Sequence, residues 1–375
     1  MKKIFILFLL FCPIIVHAEL VNYSKSGVLF EPSTHKVLYE YNKDEKLAPA
    51  SMTKMMTLLI VMENIYNNEI SLDDLVPISE NAEHMGGSQV YLQANTSIKL
   101  SELIKAICIA SANDAAVAVS EYIAGSAEDF VNLMNDKVVE LDLKNTHFMN
   151  VHGLDEDNHY SSAYDMAVIA SKLLEYPVIL NYSSQYEDYL NKPDGTKMWL
   201  VNTNKLIRYY EGIDGLKTGY TSSALYCITA TGKKNDTRMI SVVMGSDTSE
   251  HRSNDTISLL NYGFNNYKVN TVINKDDYVT NSTVYKGSVS NVDVIALESL
   301  SDLVKLNEKK DYSYNYNIKK IVAPINKGDV IGSVEIVDDN NTKIGQVNLT
   351  VSNNIKKQNI VGFYFSFIKK IIRGF

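Results

Sequence analysis

Ser51 and Lys54 stand three residues apart in the stretch Ala48-Pro49-Ala50-Ser51-Met52-Thr53-Lys54, which runs into the apolar segment Met55 to Met62. Proline and small residues ahead of a helical pattern predict that Ser51 sits in a first turn, where unpaired backbone N–H groups and the positive helix end gather. The spacing puts Lys54 on the same face, about one turn on. A serine hydroxyl becomes a nucleophile only when a base takes its proton. Lysine is a base only when neutral, so its pKa must fall well below the free value of about 10.4. Burial under the apolar helix and a nearby second cation would both lower it. A serine opening a helix is otherwise an ordinary cap, so the tetrapeptide alone does not establish catalysis.

Two further short motifs follow in order. Ser111-Ala112-Asn113 interrupts a helical pattern from Leu100 to Ile123, and Lys217-Thr218-Gly219 follows the turn Gly212 to Gly215. Lys217 can serve as the second cation, and a substrate carboxylate needs one. The histidines show no metal-ligand spacing, and there is no HExxH, no paired CxxC and no Gly-rich phosphate loop. Neither a metal nor a cofactor is expected.

The elements that must position these residues read as an α+β domain. Residues 26–42 predict a hairpin around Glu31-Pro32-Ser33-Thr34. Helices are expected after Ser51, on both sides of Ser111, over Ala127–Leu141 and over Ser162–Leu174, the last with Ser162 and Asp165 as a capping pair. Ala224 to Ala230 and Arg238 to Met244 read as adjacent antiparallel strands joined at Gly232 to Asn235, with the first hairpin able to join their sheet. A closing helix spans His251–Tyr262. From Val269 to Val351 short apolar runs at Val289–Leu297, Ile318–Val322, Val330–Val337 and Ile344–Val351 predict a small all-β domain.

The 375 residues suffice for one large domain and a smaller one. A net charge of −8 gives no sign of a nucleic-acid partner. Met1-Lys2-Lys3, the apolar run Ile4–Val16 and then His17-Ala18 have the form of a secretory signal cut after Ala18. The cut removes two lysines and no acid, so −8 becomes −10. Cys108 and Cys227, which remain, each lie in an apolar run and read as buried free thiols. Residues 355–375 combine a wide aromatic and aliphatic face with a basic stripe of Lys369, Lys370 and Arg373. That pattern predicts a helix lying in a membrane interface. The expected division is 1–18 signal, 19–268 catalytic domain, 269–351 β domain and 352–375 anchor helix.

The ordered set S-x-x-K, S-x-N and K-T-G resembles the active site of the penicillin-interacting serine enzymes. Pro49 to Thr57, Ser111 to Ala115, Asn150-Val151-His152-Gly153-Leu154-Asp155 and Asp214 to Thr221 narrow the match. They are similar to the low-molecular-mass penicillin-binding proteins, within them the serine-type D-alanyl-D-alanine carboxypeptidases with a C-terminal β domain and an amphipathic anchor. The resemblance implies a β-lactamase/transpeptidase-like catalytic domain that removes the terminal D-alanine from peptidoglycan stem pentapeptides. It implies β-lactam antibiotics as inhibitors, and an exported protein at the outer face of the cytoplasmic membrane.

By the same resemblance, Ser51 attacks and neutral Lys54 takes its proton. The backbone N–H groups of Ser51 and Tyr220 hold the oxyanion. Ser111 passes a proton to the departing amine, and Asn113 binds the substrate amide and steadies Lys54. Lys217 and Thr218 meet the terminal carboxylate, with Arg252 near it, and Gly219 leaves the strand edge bare for substrate. Tyr220 stands where many relatives have histidine. A β-lactamase would need a glutamate for deacylation, and no E-x-x-x-N lies between the second and third motifs: Glu175 is followed by Tyr176 to Ile179, with Asn181 out of step. Cross-link cleavage or transpeptidation of the same substrate stays open. A non-enzymatic wall-binding protein would keep all function in Ser51→Ala.

Overall fold

The computed structural model describes residues 19–359. At its centre lies a five-stranded antiparallel sheet in the order Lys36–Tyr41, Ser26–Glu31, Thr237–Ser246, Leu225–Lys234, Ile213–Thr221. The Ser26–Glu31 strand is buried throughout, as a strand covered on both faces must be. One cover is the helix Ser249–Asn266, whose Leu259 and Leu260 pack with Leu29, Ile228 and Val243. The other is a helical layer that includes Ala163–Leu173, Lys54–Tyr66, Leu100–Ala110 and Asn113–Ala124. The Lys54–Tyr66 helix is buried over its first nine residues, Lys54 to Met62. A helix apolar all round belongs in the middle of a layer. Ser162 caps its helix by accepting from the Asp165 N–H at 3.1 Å.

The strand pair predicted around the turn at Gly232–Asn235 runs further. Leu225–Lys234 and Thr237–Ser246 meet at Asn235-Asp236, where both residues take positive φ, a two-residue hairpin geometry that asparagine and aspartate accept. The closing helix is also longer than expected. Its start is fixed by Thr248, whose hydroxyl accepts from the His251 N–H at 3.1 Å.

Tyr267–Ile273 leads from that helix into the β domain and pairs with Leu300–Lys305. A six-stranded sheet follows in the order Tyr312–Ile318, Gly332–Asp338, Lys343–Val351, Asn291–Ala296, Tyr278–Tyr285, Ile321–Val322. Val294, Val334, Ile336, Val347 and Leu349 form its core. The predicted run Ile318–Val322 is in fact the end of one strand and a short separate one. The polar strands Tyr278–Tyr285 and Tyr312–Ile318 carry no apolar run and were not expected.

The signal and most of the expected anchor lie outside the described residues. The anchor's first residues differ from the prediction. Ile355 bridges Ile325 through hydrogen bonds of 2.8 and 3.0 Å and is buried in the β-domain core. The Gln358 N–H donates to the Lys286 carbonyl. Residues 355–358 are therefore part of the β domain. Among the described residues, no helix is long and apolar enough to cross a membrane.

Candidate active site

Ser51 lies in a one-turn 3-10 stretch, Ala50–Thr53, that continues as the Lys54–Tyr66 helix. Lys54 is wholly buried, and its Nζ donates to Ser51 Oγ at 2.9 Å and to the His152 carbonyl at 2.7 Å. The loop that supplies this carbonyl is fastened to the same helix. Thr57 Oγ1 donates to the Val151 carbonyl at 2.7 Å, and Thr53 Oγ1 bonds His159 Nε2 at 2.8 Å. Gly153 has φ +90°, and a Cβ there would sit 1.9 Å from the Ala50 carbonyl oxygen. Only glycine lets the loop close this tightly on the nucleophile's turn.

Ser111 sits between the helices Leu100–Ala110 and Asn113–Ala124 in the left-handed region, φ 63°. This uncommon conformation for a non-glycine residue ends one helix and turns the serine into the cleft. Asn113 Nδ2 donates to the Gly86 carbonyl at 2.7 Å, while its buried Oδ1 has no partner among the described residues. The expectation that Asn113 steadies Lys54 is not met: that contact is made by the His152 carbonyl. Asp114, next in the motif, is buried and accepts from the N–H groups of Val90 and Leu92, which holds the loop after Ser88 against the cleft.

The third motif lies on the Ile213–Thr221 edge strand. A Cβ on Gly219 would stand 2.8 Å from the Pro49 carbonyl oxygen and 3.2 Å from the Ser51 nitrogen. Its bareness makes room for the nucleophile's turn, a reason different from the one expected. Thr218 Oγ1 donates to Thr203 Oγ1 at 2.7 Å. Lys217 is buried behind the cleft wall, its Nζ donating to the Thr218 carbonyl at 2.9 Å, so its charge acts from beneath the surface. Arg252, on the Ser249–Asn266 helix, lines the cleft, and its buried Nε has no partner among the described residues. Tyr220 is exposed at the mouth, its ring 4.4 Å from that of Tyr226.

Ser51, Ser111, Thr218, Gly219, Tyr220 and Arg252 border a cleft of about 600 Å³. Burial, then the Lys217 charge, holds the Lys54 amine well below the usual lysine range, with Asp114 opposing. Burial first, and Arg252 in the same direction, brings Lys217 down to about 7, against an opposing influence of Cys108. Burial also lowers Arg252. His152 is pushed down to about 3 by burial and then by Lys54, so its ring is neutral near pH 7. Cys108 and Cys227 are buried free thiols, pushed up by burial to about 12 and about 11. A neutral amine beside a serine hydroxyl, with the Arg252 guanidinium lining the same cleft, can perform acyl transfer on a substrate that carries a carboxylate.

Residues 15–248 match the family model for D-alanyl-D-alanine carboxypeptidase. The chain belongs to this family. Residues 267–357 match the model of the penicillin-binding protein 5 C-terminal domain. The chain is 42% identical to D-alanyl-D-alanine carboxypeptidase DacF of Bacillus subtilis over 351 residues, covering 92% of this chain and 89% of that protein. It is similar to the crystal structure of penicillin binding protein 5 from Haemophilus influenzae, with 32% identity and a TM-score of 0.72 over 89% of this chain and 98% of that one. It is also similar to penicillin-binding protein D2 from Listeria monocytogenes in its ampicillin-bound form, with 31% identity and a TM-score of 0.58 over 64% of this chain and 97% of that one.

The protein is thus a serine-type D-alanyl-D-alanine carboxypeptidase with the expected α+β catalytic domain and β domain. In this carboxypeptidase Ser51, Ser111, Thr218, Gly219, Tyr220 and Arg252 share one cleft, with Lys54, Asn113 and Lys217 behind its wall. Sequence reading did not single out Thr203, Lys205, Tyr209 or Glu250, which also line it. The first three lie in a connection without strong periodicity. Glu250 had one usable signal, its place two residues before Arg252 at a helix start.

Proposed function

We propose that this carboxypeptidase removes the terminal D-alanine from peptidoglycan stem pentapeptides through an acyl-enzyme on Ser51. The observation that carries this reading is the 2.9 Å contact between Ser51 Oγ and the amine of a buried lysine that, among the described residues, has no carboxylate partner. Ser51 Oγ attacks the carbonyl carbon between the two D-alanines, and Lys54 takes the hydroxyl proton. The backbone N–H groups of Ser51 and Tyr220 hold the oxyanion. The C–N bond breaks, and Ser111 relays a proton to the departing amine. Asn113 binds the peptide amide through its free Oδ1. Thr218 and Arg252 take the terminal carboxylate, with the field of Lys217 behind them. Water then hydrolyses the ester and restores Ser51.

β-Lactams enter the same site and leave a slowly hydrolysed ester. The protein works outside the cytoplasmic membrane, held there peripherally by the basic and aromatic segment after Asn359.

Intact-mass spectrometry with benzylpenicillin, beside Ser51→Ala, tests the nucleophile, and D-alanine release from a pentapeptide tests the reaction. A stable penicilloyl adduct on wild type alone, together with D-alanine release, is expected. Penicillin consumed without an adduct would identify a β-lactamase and overturn the proposal.

A further inference from the structure

The β domain gathers positive charge where the chain leaves it. Three of its segments meet there. The strand Tyr278–Tyr285 pairs with Ile321–Val322, which sets Tyr285 beside Val322. Gly287 bridges Lys357, and Ile325 bridges Ile355. The Ser288 N–H donates to the Lys356 carbonyl at 2.9 Å, and the Gln358 N–H to the Lys286 carbonyl at 2.8 Å. Residues 284–290, 319–327 and 352–359 thus form one rim. They contain Lys286, Lys319, Lys320, Lys327, Lys356 and Lys357 and no aspartate or glutamate, in a chain whose net charge is −8. Lys327 is paired with Asp276, which lies outside these segments, at 2.7 Å. The amines of the other five are exposed and have no carboxylate or hydrogen-bond partner among the described residues. Lys320 Nζ lies 4.1 Å from the centroid of the Tyr285 ring. Tyr285, Val289 and Val322 are exposed on the same rim.

Like charges held together without counter-charges repel, so an anionic surface laid over this rim lowers the energy. The course of the chain indicates which surface. Gln358 and Asn359 lead from the rim into residues 360–375, where Phe363, Phe365, Phe367, Lys369, Lys370 and Arg373 carry the anchor pattern. A bilayer that receives this segment therefore begins within a few residues of Lys356 and Lys357.

We propose that the rim is a second lipid contact, through which the β domain itself rests on an anionic bilayer. The inference rests on the reading that the segment after Asn359 holds the protein at the membrane. Lys286, Lys320, Lys356 and Lys357 meet headgroup phosphates. Tyr285 takes the interfacial depth that tyrosine favours, and Val289 and Val322 shed water beside it. One terminal segment tethers the domain; a second contact also fixes its tilt. The catalytic domain, joined to it through Tyr267–Ile273 and the Lys36–Asp302 pair, is then held at a set orientation above the surface.

The test uses the chain from Glu19 to Phe375 with vesicles of phosphatidylcholine alone or mixed equally with phosphatidylglycerol. Cys108 and Cys227 are buried, so an environment-sensitive fluorophore can be placed on a V322C variant alone. Its emission is expected to shift to the blue on the mixed vesicles. The double variant Lys286→Gln/Lys320→Gln should bind the mixed vesicles at least about tenfold more weakly than wild type, at about fivefold per lysine near an anionic surface. Its binding to phosphatidylcholine alone should stay within about twofold. An unchanged urea unfolding curve, followed by tyrosine fluorescence, shows that the double variant is folded.

If the protein binds the mixed vesicles while the fluorophore keeps its emission in water, or the double variant binds them like wild type, the rim contact is overturned and the anchor reading stands. A blue shift without vesicles that grows with protein concentration would mean that a second copy of the chain covers the rim, and also overturns it. If wild type binds neither vesicle, the anchor reading falls and the rim contact with it.

Discussion

Buried charge is handled in opposite ways at the cleft and in the β domain. Lys54, Lys217 and Arg252 are buried around the cleft, and none has a carboxylate partner among the described residues. Asp302 in the β domain is equally buried, yet it accepts from Lys36 at 3.2 Å, Lys310 at 3.1 Å and the Tyr312 hydroxyl at 3.3 Å. Buried carboxylates of the catalytic domain follow the second pattern. Asp255 accepts from the N–H groups of Asn22 and Tyr23 and from Ser24 Oγ, and Glu31 accepts from Ser33 and Thr34. A buried basic group without a carboxylate partner costs free energy to protonate, and a fold that keeps three together holds them for chemistry. A buried charge with several donors is part of the framework.

Removing Lys54 should break this contrast most visibly. Lys54→Met is expected to lower the rate of acylation by benzylpenicillin by about a thousandfold, the scale of a lost general base. The same change replaces a desolvated amine with an apolar chain of similar length, so stability should hold or rise. Stopped-flow acylation and urea unfolding on the same samples check both halves. A variant that loses stability and keeps activity would place Lys54 with the framework charges.

Asp302→Ala should do the reverse. It leaves Lys310, Tyr312 and Lys36 without their shared acceptor and should lower the unfolding free energy of the β domain by about 2 kcal/mol. The acylation rate should not change, because no cleft residue touches the network. Chemical denaturation followed by tyrosine fluorescence measures the first effect.

Lys217→Met sharpens the comparison on the pH axis. The Lys217 charge lowers the Lys54 pKa, so its removal should raise that pKa and move the acylation profile toward higher pH. Stability carries its own sign. With Lys217 near 7 when folded and 10.5 as its ordinary value, the unfolded chain binds more protons between these values. Stability from this group therefore rises with pH across that window, and the penalty is complete below about 7. The variant should lose that slope, which melting curves at a series of pH values would reveal.

These assignments show unevenly in the sequence. The three motifs were legible because each sits at an abrupt change of pattern, and the helices behind them have strong apolar periodicity. The reason for Gly219 was not legible, since the turn it accommodates lies more than 160 residues away in the chain. Thr203 was hidden because its role depends on a partner fixed only by the sheet. Tyr312–Ile318 alternates tyrosine with serine and asparagine on an exposed edge and gives no apolar signal, although Asp302 beneath it is buried. Ile355 reads as the start of an apolar helix, and only its pairing with Ile325 assigns it to the β domain.

The smallest effect belongs to Lys36, which reaches Asp302 from the first hairpin and so ties the two domains. Half of its side chain is exposed, whereas Lys310, the other cation on Asp302, is 17% exposed. When Lys36 is lost, Asp302 keeps Lys310 and Tyr312, and a half-solvated pair is weak to begin with. Lys36→Met should therefore cost less than about 1 kcal/mol and leave acylation untouched. If it costs as much as Asp302→Ala, the two effects measured in one denaturation series, the domain junction rather than Lys310 is what satisfies Asp302. Framework charge in this protein would then be shared between domains, and cleft chemistry confined to one.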